Sequence, residues 1–417
     1  MSFQQGLSGL NATSKNLDVI GNNIANANTY GTKVARAEFS DMYASAIGSA
    51  GSSNVGIGTQ LATVAQQFTQ GNISTTENPM DLAIKGNGFF QLTDGQNPIV
   101  YSRNGQFKVD RDGFVVNNSG LKLMGYGADN EGVIQPGQAV ALQLPTSGVD
   151  PQPTTTVTLE MNLDSRKLVT LPAASPLIDF NDATTYNNAT SLTVYDVKGQ
   201  EVPVTFYFQK TDTDIWNVFA TANGEPISAD PLDPQPITTI TFDSDGSVPT
   251  APTDPVPFDI LLPGNVAPAD TLSVTLDLST ATQFGSAFGV TDQRQDGFSA
   301  GELTSIMVES TGIVMARYSN GQSRPAGQVE LASFRNAQGL QPLGDNSWGR
   351  TFASGDPVTG VPDGAGLGVL QSGALEESNI DLTGELVNMI TAQRIYQANA
   401  QTIKTQDQVL QTLVNLR

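Results

Sequence analysis

The sequence predicts a multidomain α+β fold, in which a terminal α-helical coiled coil joins two mainly-β domains that are nested and discontinuous. Three observations predict it: heptad spacing of apolar residues at both ends, two-residue alternation through the middle, and an acidic, proline-rich section within that middle. With about 150 residues per domain, the 417 residues correspond to roughly three domains.

Charge and composition exclude several classes of function. The chain carries a formal charge of −21 and contains neither histidine nor cysteine. A nucleic-acid binder needs a cationic surface, and an anionic membrane also attracts cations, so neither is an expected partner. Without histidine and cysteine, the usual general base and the best transition-metal ligands are missing. We therefore expect no catalytic residues, no cofactor and no metal site.

The chain has no continuous apolar run of the roughly 18 residues that a membrane-spanning helix needs. Its first residues also lack a basic segment followed by a continuous apolar core, so no cleavable signal peptide is predicted. Two routes stay open: the protein remains inside the cell, or it is exported without cleavage.

The N-terminal element is predicted to be an α-helix. Its apolar or small residues recur at alternating steps of four and three, which is the a/d pattern of a coiled coil: Phe3, Leu7, Leu10, Ser14, Leu17, Gly21 and Ile24.

The C-terminal element repeats this pattern. After Gly384 the chain contains no glycine or proline, so an uninterrupted helix is predicted up to Arg417. Ser378 or Asp381 can cap its start. The seam positions are Leu382, Leu386, Met389, Gln393, Tyr396, Ala400, Ile403, Asp407, Leu410 and Val414.

The outer faces of these helices carry amides, such as Gln397, Asn399 and Gln401, where soluble helices usually carry Glu and Lys. Neutral amides suit a surface that packs against further copies, because a charge would have to be desolvated there. We therefore interpret the apolar seam as a self-assembly surface and expect both ends to become ordered only in an assembly. The alternative is an ordinary pair of core-packed helices. The assembly residues would be Phe3, Leu7, Leu10, Leu17, Ile24, Leu382, Leu386, Met389, Tyr396, Ile403, Leu410 and Val414.

The region between the helices begins with a segment of small residues, 44–58, which predicts a connector. From Thr59 the pattern alternates every two residues, as in strands. Within the predicted meander, Asn104-Gly105 and Asp112-Gly113 are candidate hairpin turns, and Asn320-Gly321 is another in the related stretch 301–334.

The middle of the chain is predicted to be an all-β sandwich or barrel. Residues 151–300 contain 19 Asp and Glu against 5 Lys and Arg, together with most of the prolines. The predicted strands are Thr154–Leu163, Ser191–Val197, Val202–Gln209, Ile215–Thr221 and Thr271–Leu278.

The predicted domain organisation is nested, because helices at the two ends must pair and the chain must therefore leave and return. The predicted parts are a helical coiled coil (1–25 and 378–417), a connector (26–71 and 370–377), an inner β domain (72–145 and 292–369) and an inserted acidic outer β domain (146–291).

Motifs that resemble chemical sites are explained better as turns or solvated carboxylates. Gly86-Asn87-Gly88 lacks the third glycine and the helix of a dinucleotide site. Two Asp-rich turns, 110–113 and 243–246, hold only half of a calcium loop. The carboxylate pairs Asp212/Asp214 and Glu376/Glu377 are expected to face solvent.

Several segments carry a family resemblance. Residues 7–33 and 378–416 resemble the terminal segments of bacterial flagellar rod and hook proteins, and the stretches 86–92, 107–126, 339–348 and 372–382 are also similar to that family. Thr32 departs from the family pattern, which commonly has an aromatic residue there. The long insertion 146–291 is similar to that of the hook members, since distal rod members are shorter.

The resemblance implies a structural hook subunit that self-assembles into a flexible tube, a universal joint that transmits torque from rod to filament outside the cell. It implies export by the flagellar type III apparatus without a cleaved signal peptide. The implied partners are other hook subunits, the distal rod protein, the hook cap protein and the hook–filament junction protein. The alternatives are a distal rod protein or, more remotely, a secreted β-rich adhesin or carbohydrate-active protein, with Trp216 and Tyr207 as candidate platform residues.

Overall fold

The computed structural model describes residues 2–42, 56–129, 132–135, 137–172, 177–227, 233–261 and 271–415. Most of the predicted connector 44–58 lies outside these ranges. The chain forms two compact units. The first contains Met1–Thr146, Thr304–Arg317 and Ser323–Arg417, and the second contains Ser147–Leu303 and Tyr318–Gln322.

The predicted fold class is confirmed: the protein is mainly β, with one long helix at each end. The helices are α1 (Ser2–Ala25) and α2 (Leu382–Asn415). Neither has a stretch apolar enough to cross a membrane within the part of the chain that the structure describes.

The strands follow in chain order. Before the insertion, the first unit contains β1 (Ala35–Met42), β2 (Gly58–Gln66), β3 (Ile73–Thr75), β4 (Leu82–Lys85), β5 (Phe89–Thr93), β6 (Val100–Ser102), β7 (Lys108–Val109), β8 (Val115–Val116), β9 (Lys122–Gly127) and β10 (Val140–Ala141). The second unit contains β11 (Thr156–Asn162), β12 (Asn188–Tyr195), β13 (Glu201–Asp212), β14 (Ile215–Ala222), β15 (Glu225–Pro226), β16 (Thr238–Phe242), β17 (Pro249–Ala251), β18 (Val256–Leu261), β19 (Thr271–Asp277) and β20 (Gly289–Gln295). The return path contains β21 (Leu303–Val308), β22 (Ile313–Tyr318), β23 (Ser323–Val329), β24 (Leu331–Ser333), β25 (Gln341–Gly344), β26 (Ser347–Gly349), β27 (Val358–Gly360), β28 (Val369–Ser372) and β29 (Ala374–Glu376).

The first unit is built around a sheet with the strand order β21-β22-β23-β9-β5-β6-β26-β25. One of its apolar clusters consists of Phe89, Tyr101, Ala332, Leu340 and Trp348. Three small antiparallel pairs complete the unit: β1 with β2, β4 with β28, and β3 with β29. The last two pairs bring the chain that precedes α2 alongside the chain that follows α1.

Two of the three predicted turns are confirmed. Asp112-Gly113 connects β7 to β8, and Asn320-Gly321 connects β22 to β23, with both glycines at positive φ. The prediction at Asn104-Gly105 is wrong, because β6 pairs with β5 and β26, whereas β7 pairs with β8. A Cβ on Gly105 would lie 1.6 Å from the Leu82 carbonyl oxygen, so this glycine permits a close backbone approach rather than a hairpin.

The second unit consists of two sheets, with strand orders β18-β19-β11-β20 and β12-β13-β14-β16-β17. Both contribute to one core, which includes Leu159, Phe206, Phe208, Ile260 and Leu276. Each of the five strands predicted in this section overlaps an observed strand: β11, β12, β13, β14 and β19.

The two candidate platform residues of the second unit lie in different surroundings. Trp216 is wholly buried, and its indole N–H donates to Gln283 Oε1 at 2.6 Å. The Tyr207 ring packs against Phe180 and Tyr186 at 4.9 Å between centroids. The burial of Trp216 therefore excludes it as a platform residue, whereas Tyr207 is half-buried within this aromatic cluster.

Candidate assembly surface of the terminal helices

Helices α1 and α2 pack against each other in antiparallel orientation. A Cβ on Gly6 would lie 3.1 Å from Ile403 Cγ1, and one on Gly9 would lie 2.9 Å from Asn399 Nδ2. At the other end, the Asn23 amide donates to Glu385 Oε2 at 3.4 Å. The partner's number falls as the α1 number rises, which defines the antiparallel arrangement.

The line of contact is made by small and polar residues rather than by the large apolar seam. On α1 the contact line runs through the buried residues Gly6, Thr13, Ile20 and Asn23, and on α2 it includes the buried Ala392. The buried residues on α1 are separated by seven, seven and three positions, which is again the spacing of a coiled coil. Small side chains let the two backbones approach closely, so the helix pair uses only a few large apolar side chains, among them Ile20 and Ile403, and leaves most of the seam unused.

Most of the predicted seam is therefore exposed in the single chain. Phe3, Leu7, Leu382, Leu386, Tyr396 and Leu410 are exposed, whereas Leu10, Leu17, Ile24, Met389 and Ile403 are half-buried. Ile403 differs from the rest because it also contacts Gly6. The side chain of Val414 lies outside the described residues.

Both seams lie on the same side of the helix pair. Since an α-helix turns by about 100° per residue, the seam is displaced by about 100° from the contact line on α1 and by about 70° on α2. When each helix is viewed along its own axis from its N-terminus, the seam is rotated from the contact line in the same direction. Because the helices are antiparallel, such rotations place both seams on the same side of the helix pair. We call the exposed and half-buried seam residues on that side the apolar face.

The opposite side of α1 is covered by the ribbon of β1 and β2. The Gln5 amide donates to the Gly56 carbonyl at 2.6 Å, and the Thr59 N–H donates to Ser8 Oγ at 3.3 Å. Gln5 and Ser8 lie on the side of α1 away from the apolar face. The ribbon therefore leaves that face open.

The start of α2 is capped as one of the two alternatives predicts. Asp381 Oδ1 accepts a hydrogen bond from the Thr383 N–H at 3.1 Å, which places Asp381 at the N-cap of α2. Ser378 instead accepts a bond from the Ile380 N–H, ahead of the helix.

A buried ion cluster lies where both helices join the β strands of the first unit. Lys33 Nζ contacts Glu376 Oε1 at 2.6 Å, and an Arg103 guanidinium nitrogen contacts Glu376 Oε2 at 3.0 Å. The side chains of Lys33, Glu376 and Arg103 are 1%, 0% and 6% exposed. We call these three residues the root cluster, since Lys33 follows α1 and Glu376 precedes α2.

The remaining bonds of the root cluster tie it to the backbone at Thr69, Gly71 and Gly86. Lys33 Nζ donates to the Thr69 carbonyl, and Glu376 Oε1 accepts from the Gly71 N–H. Arg103 donates to the carbonyl of Gly86 at 2.8 Å and lies over the Phe89 ring at 5.4 Å. Burial lowers the pKa of Lys33 and of Arg103, and the Glu376 carboxylate opposes that shift in both.

The expectation that Glu376 faces solvent is wrong, and sequence reasoning missed the root cluster. Glu376 ends the buried strand β29, directly after Ala374 and Leu375. A carboxylate that follows two buried apolar residues was the available signal, but its partners lie 343 and 273 positions away along the chain. Its neighbour Glu377 is half-buried and accepts from the Asn72 amide.

A separate cavity of about 590 Å³ lies in the β region of the first unit. Its lining includes Tyr101, Tyr126, Arg350 and the buried Glu330, whose carboxylate accepts from Gln91 Nε2 at 2.7 Å and from the Tyr126 hydroxyl at 2.8 Å. Within the described ranges, no group of three or more Asp and Glu residues is placed to hold a metal ion.

Comparison with known proteins finds matches to family models in four segments of the chain. Family models match at residues 3–33 (Flagella basal body rod protein), 83–165 (Flagellar hook protein FlgE/F/G D1 domain), 162–298 (Flagellar basal body protein FlaE D2 domain) and 371–416 (Flagellar basal body rod FlgEFG protein C-terminal). Flagellar hook protein FlgE of Salmonella typhimurium is 42% identical over 419 residues, and that of Escherichia coli is 40% identical over 420, with all of each chain covered. The chain belongs to the flagellar hook protein family.

A hook protein of this kind is a structural subunit of the bacterial flagellum, in the part that lies outside the cell. The match to hook proteins extends over the full length of this chain, so the chain is a hook subunit rather than a distal rod protein. Flagellar hook protein FlgE of Borreliella burgdorferi is 33% identical over 457 residues. The crystal structure of Helicobacter pylori flagellar hook protein FlgE2 covers 73% of this chain and 100% of its own, with a TM-score of 0.53 and 15% identity, and supports the fold alone.

In this hook protein, the departure at Thr32 is accommodated by polar contacts. Thr32 Oγ1 donates to Asn346 Oδ1 at 2.9 Å, and the Asn346 amide donates to the Tyr30 carbonyl at 2.9 Å. A hydrogen-bonded link to the β25–β26 turn therefore occupies the position where the family commonly has an aromatic side chain.

Proposed function

We propose that hook subunits assemble through the apolar face of the helix pair, and that these helices form the inner tube of the hook. The observation that carries the proposal is that α1 and α2 pair through small and polar residues, which leaves Phe3, Leu7, Leu382 and Leu386 exposed on one side. A contiguous exposed apolar surface is typical of a protein interface. Neighbouring copies are the occupants that a homopolymer supplies.

The energetic scale supports assembly through this face. Full burial of one Leu or Phe side chain contributes about 2 kcal/mol. The six exposed seam residues are 37–54% exposed in the single chain, so their further burial would contribute on the order of 5 kcal/mol per subunit, before the cost of association is subtracted. Further burial of the half-buried seam residues adds to this contribution, and the net charge of −21 opposes it.

The test compares two adjacent residues on α2. Leu386 lies on the apolar face and is 46% exposed, whereas Val387 lies outside the seam positions, about 100° farther around the helix, and is 58% exposed. We expect Leu386→Gln to raise the critical concentration for polymerisation of the full chain at least about tenfold, since 1.4 kcal/mol corresponds to a factor of ten. The measurement is sedimentation of polymers combined with electron microscopy.

The matched control is Val387→Gln, which makes the same kind of change one position away. It is expected to leave the critical concentration within about twofold of the parent protein, because an exposed substitution away from an interface changes little. Equal effects of the two variants would contradict an assembly surface on this side of the helix pair.

We also propose that the same helical ends join the hook to its neighbours. Rod-family models match 3–33 and 371–416, which are the segments that form α1 and α2, so a rod subunit offers a similar surface. On this proposal the distal rod protein, the hook cap protein and the hook–filament junction protein contact the ends of the hook polymer. Seeding of polymerisation by purified distal rod protein tests the first of these contacts, and Leu386→Gln should abolish the seeding.

We further propose that the chain has no catalytic activity.

We also propose that the chain is exported by the flagellar type III apparatus and keeps its N-terminal segment. The involvement of Phe3 and Leu7 in the apolar face supports retention of that segment. Mass spectrometry of hooks isolated from cells checks it, since a subunit lacking residues 1–10 would contradict the proposal.

In the hook, we propose that the helix pair holds the tube together while the acidic second unit makes weaker, wetter contacts. Residues 151–300 carry 14 of the 21 net negative charges, which disfavours dry contact between like surfaces. This difference would let the outer contacts change during rotation while the inner contacts persist, as a universal joint requires.

A further inference from the structure

The root cluster joins three parts of the first unit at one carboxylate. Lys33 comes from the chain that leaves α1, Glu376 from the chain that enters α2, and Arg103 from the segment after β6. The Glu376 backbone carbonyl also accepts from the Gly31 N–H at 2.8 Å. Glu376 therefore holds both helical roots and the sheet simultaneously.

Close backbone packing makes this junction a fixed geometry rather than a loose contact. A Cβ on Gly31 would lie 2.5 Å from the Asn104 N, and one on Gly71 would lie 2.0 Å from the Glu377 carbonyl oxygen. Asn379 adds a second link, because its Oδ1 accepts from the Val34 N–H at 2.7 Å and its amide donates to the Gln67 carbonyl at 2.8 Å. The helix pair can turn about its root only if several of these contacts break.

The charges in the root cluster are unequal in number. Among the described residues it contains two cations, Lys33 and Arg103, and one carboxylate, Glu376. Arg103 Nε is buried without a hydrogen-bond partner. Two buried cations repel each other, and although each also donates to a backbone carbonyl, Glu376 is the one carboxylate that both contact among the described residues, so the cluster depends on it.

We propose that Glu376 is a positioning residue for hook assembly: by holding Lys33 and Arg103, it fixes the direction in which the helix pair leaves the β region, and this direction sets the shape of the polymer. The inference rests on family membership and on the proposed assembly through the helix pair. A small change of angle at the root is repeated in every subunit, so the curvature and subunit spacing of the polymer report it.

The first experiment uses the full chain with Glu376→Gln, which keeps the size of the side chain and removes its charge. It is expected to lower the melting temperature by on the order of 10 °C, because two buried cations lose their partner. Amide hydrogen exchange of the unpolymerised chain should accelerate at least about tenfold at residues 30–35 and 378–385. The polymers that it forms should differ from the parent in curvature or subunit spacing by electron microscopy.

The matched control is Glu377→Gln, which changes the adjacent carboxylate outside the root cluster. It is expected to shift the melting temperature by no more than about 2 °C and to leave polymer shape unchanged, because this residue is half-buried and bonds only to Asn72 among the described contacts. If polymers of Glu376→Gln matched those of the parent in curvature and spacing, the positioning role would be overturned even if the melting temperature fell.

A second pair of variants keeps the inference testable if Glu376→Gln does not fold. Lys33→Met leaves the Arg103–Glu376 pair intact and balanced, so it should fold, while residues 30–35 lose exchange protection and polymer shape changes. The double variant Lys33→Met/Glu376→Gln should melt higher than Glu376→Gln alone, because one of the two repelling cations is gone. If the double variant had a lower melting temperature than either single variant, the three side chains would stabilise the protein through packing alone, and the charge-based positioning role of Glu376 would be overturned.

The outcomes separate this inference from the proposed function. If Leu386→Gln blocks polymerisation but the root variants give polymers of parental shape, the assembly surface stands and the positioning role fails. If Leu386→Gln has no effect, assembly through the apolar face fails, and the shape of polymers made by the root variants still reports on Glu376.

Discussion

At the scale of single residues, the features that matter most here depend on partners far away along the chain. Glu376 resembles a solvated carboxylate when only its neighbours are considered, yet its side chain is buried and contacts Lys33 and Arg103. Asn104-Gly105 has the composition of a hairpin turn, yet Gly105 is needed where the Leu82 backbone approaches. Local composition predicts local conformation, and it cannot specify a contact made across hundreds of residues.

Tyr126 provides a residue-scale prediction with a defined pH range. Burial and the hydrogen bond to Glu330 raise the pKa of Tyr126 from 10 to about 12. The folded protein therefore keeps the proton between pH 10 and 12, where the unfolded chain has released it, and the stabilisation from this group is lost as the pH rises through that range.

We expect Tyr126→Phe to make the fall in the free energy of unfolding between pH 10 and 12 shallower than in the parent. At pH 7 the variant should be less stable by about 1–3 kcal/mol, because the buried Glu330 loses one of its donors. Urea unfolding across this pH series measures both effects. An unchanged alkaline slope would show that Tyr126 is not the group responsible.

At the scale of secondary-structure elements, periodicity predicted most of what is observed. Four-three spacing identified α1 and α2, and two-residue alternation identified the main strands of the second unit. What it could not predict is which face of each helix meets the other. The glycines at positions 6 and 9 and the buried Ala392 form the contact because they permit close approach, whereas a search for large apolar residues selects the exposed face.

The start of α2 gives a prediction at this scale. Replacement of Asp381 by Ala removes the side-chain acceptor for the Thr383 N–H, which should cost about 1 kcal/mol and speed amide exchange across residues 382–386 in the polymer, where α2 is expected to be ordered. Asp381→Asn keeps an acceptor oxygen and should stay close to the parent in both measurements. Similar exchange rates in the Ala and Asn variants would mean that the cap contributes nothing to this helix end.

At the scale of the whole molecule, net charge and apolar surface act in opposite directions on assembly. Each subunit carries −21, so copies repel one another, and the apolar face must overcome that repulsion. Charges exposed on separate copies are screened by salt, whereas burial of apolar side chains is not weakened by it.

Polymerisation of the parent chain should therefore become more favourable as salt is added. The Debye length falls from about 30 Å at 0.01 M to about 8 Å at 0.15 M ionic strength, so most of the repulsion between subunits is removed in this range. We expect the critical concentration, measured by sedimentation, to fall as the salt concentration rises.

Leu386→Gln removes an apolar contact and no charge. Its critical concentration should therefore be higher than that of the parent at every salt concentration, while its dependence on salt stays parallel to that of the parent. A critical concentration that rises with salt would mean that ion pairs between subunits, rather than the apolar face, hold the polymer together.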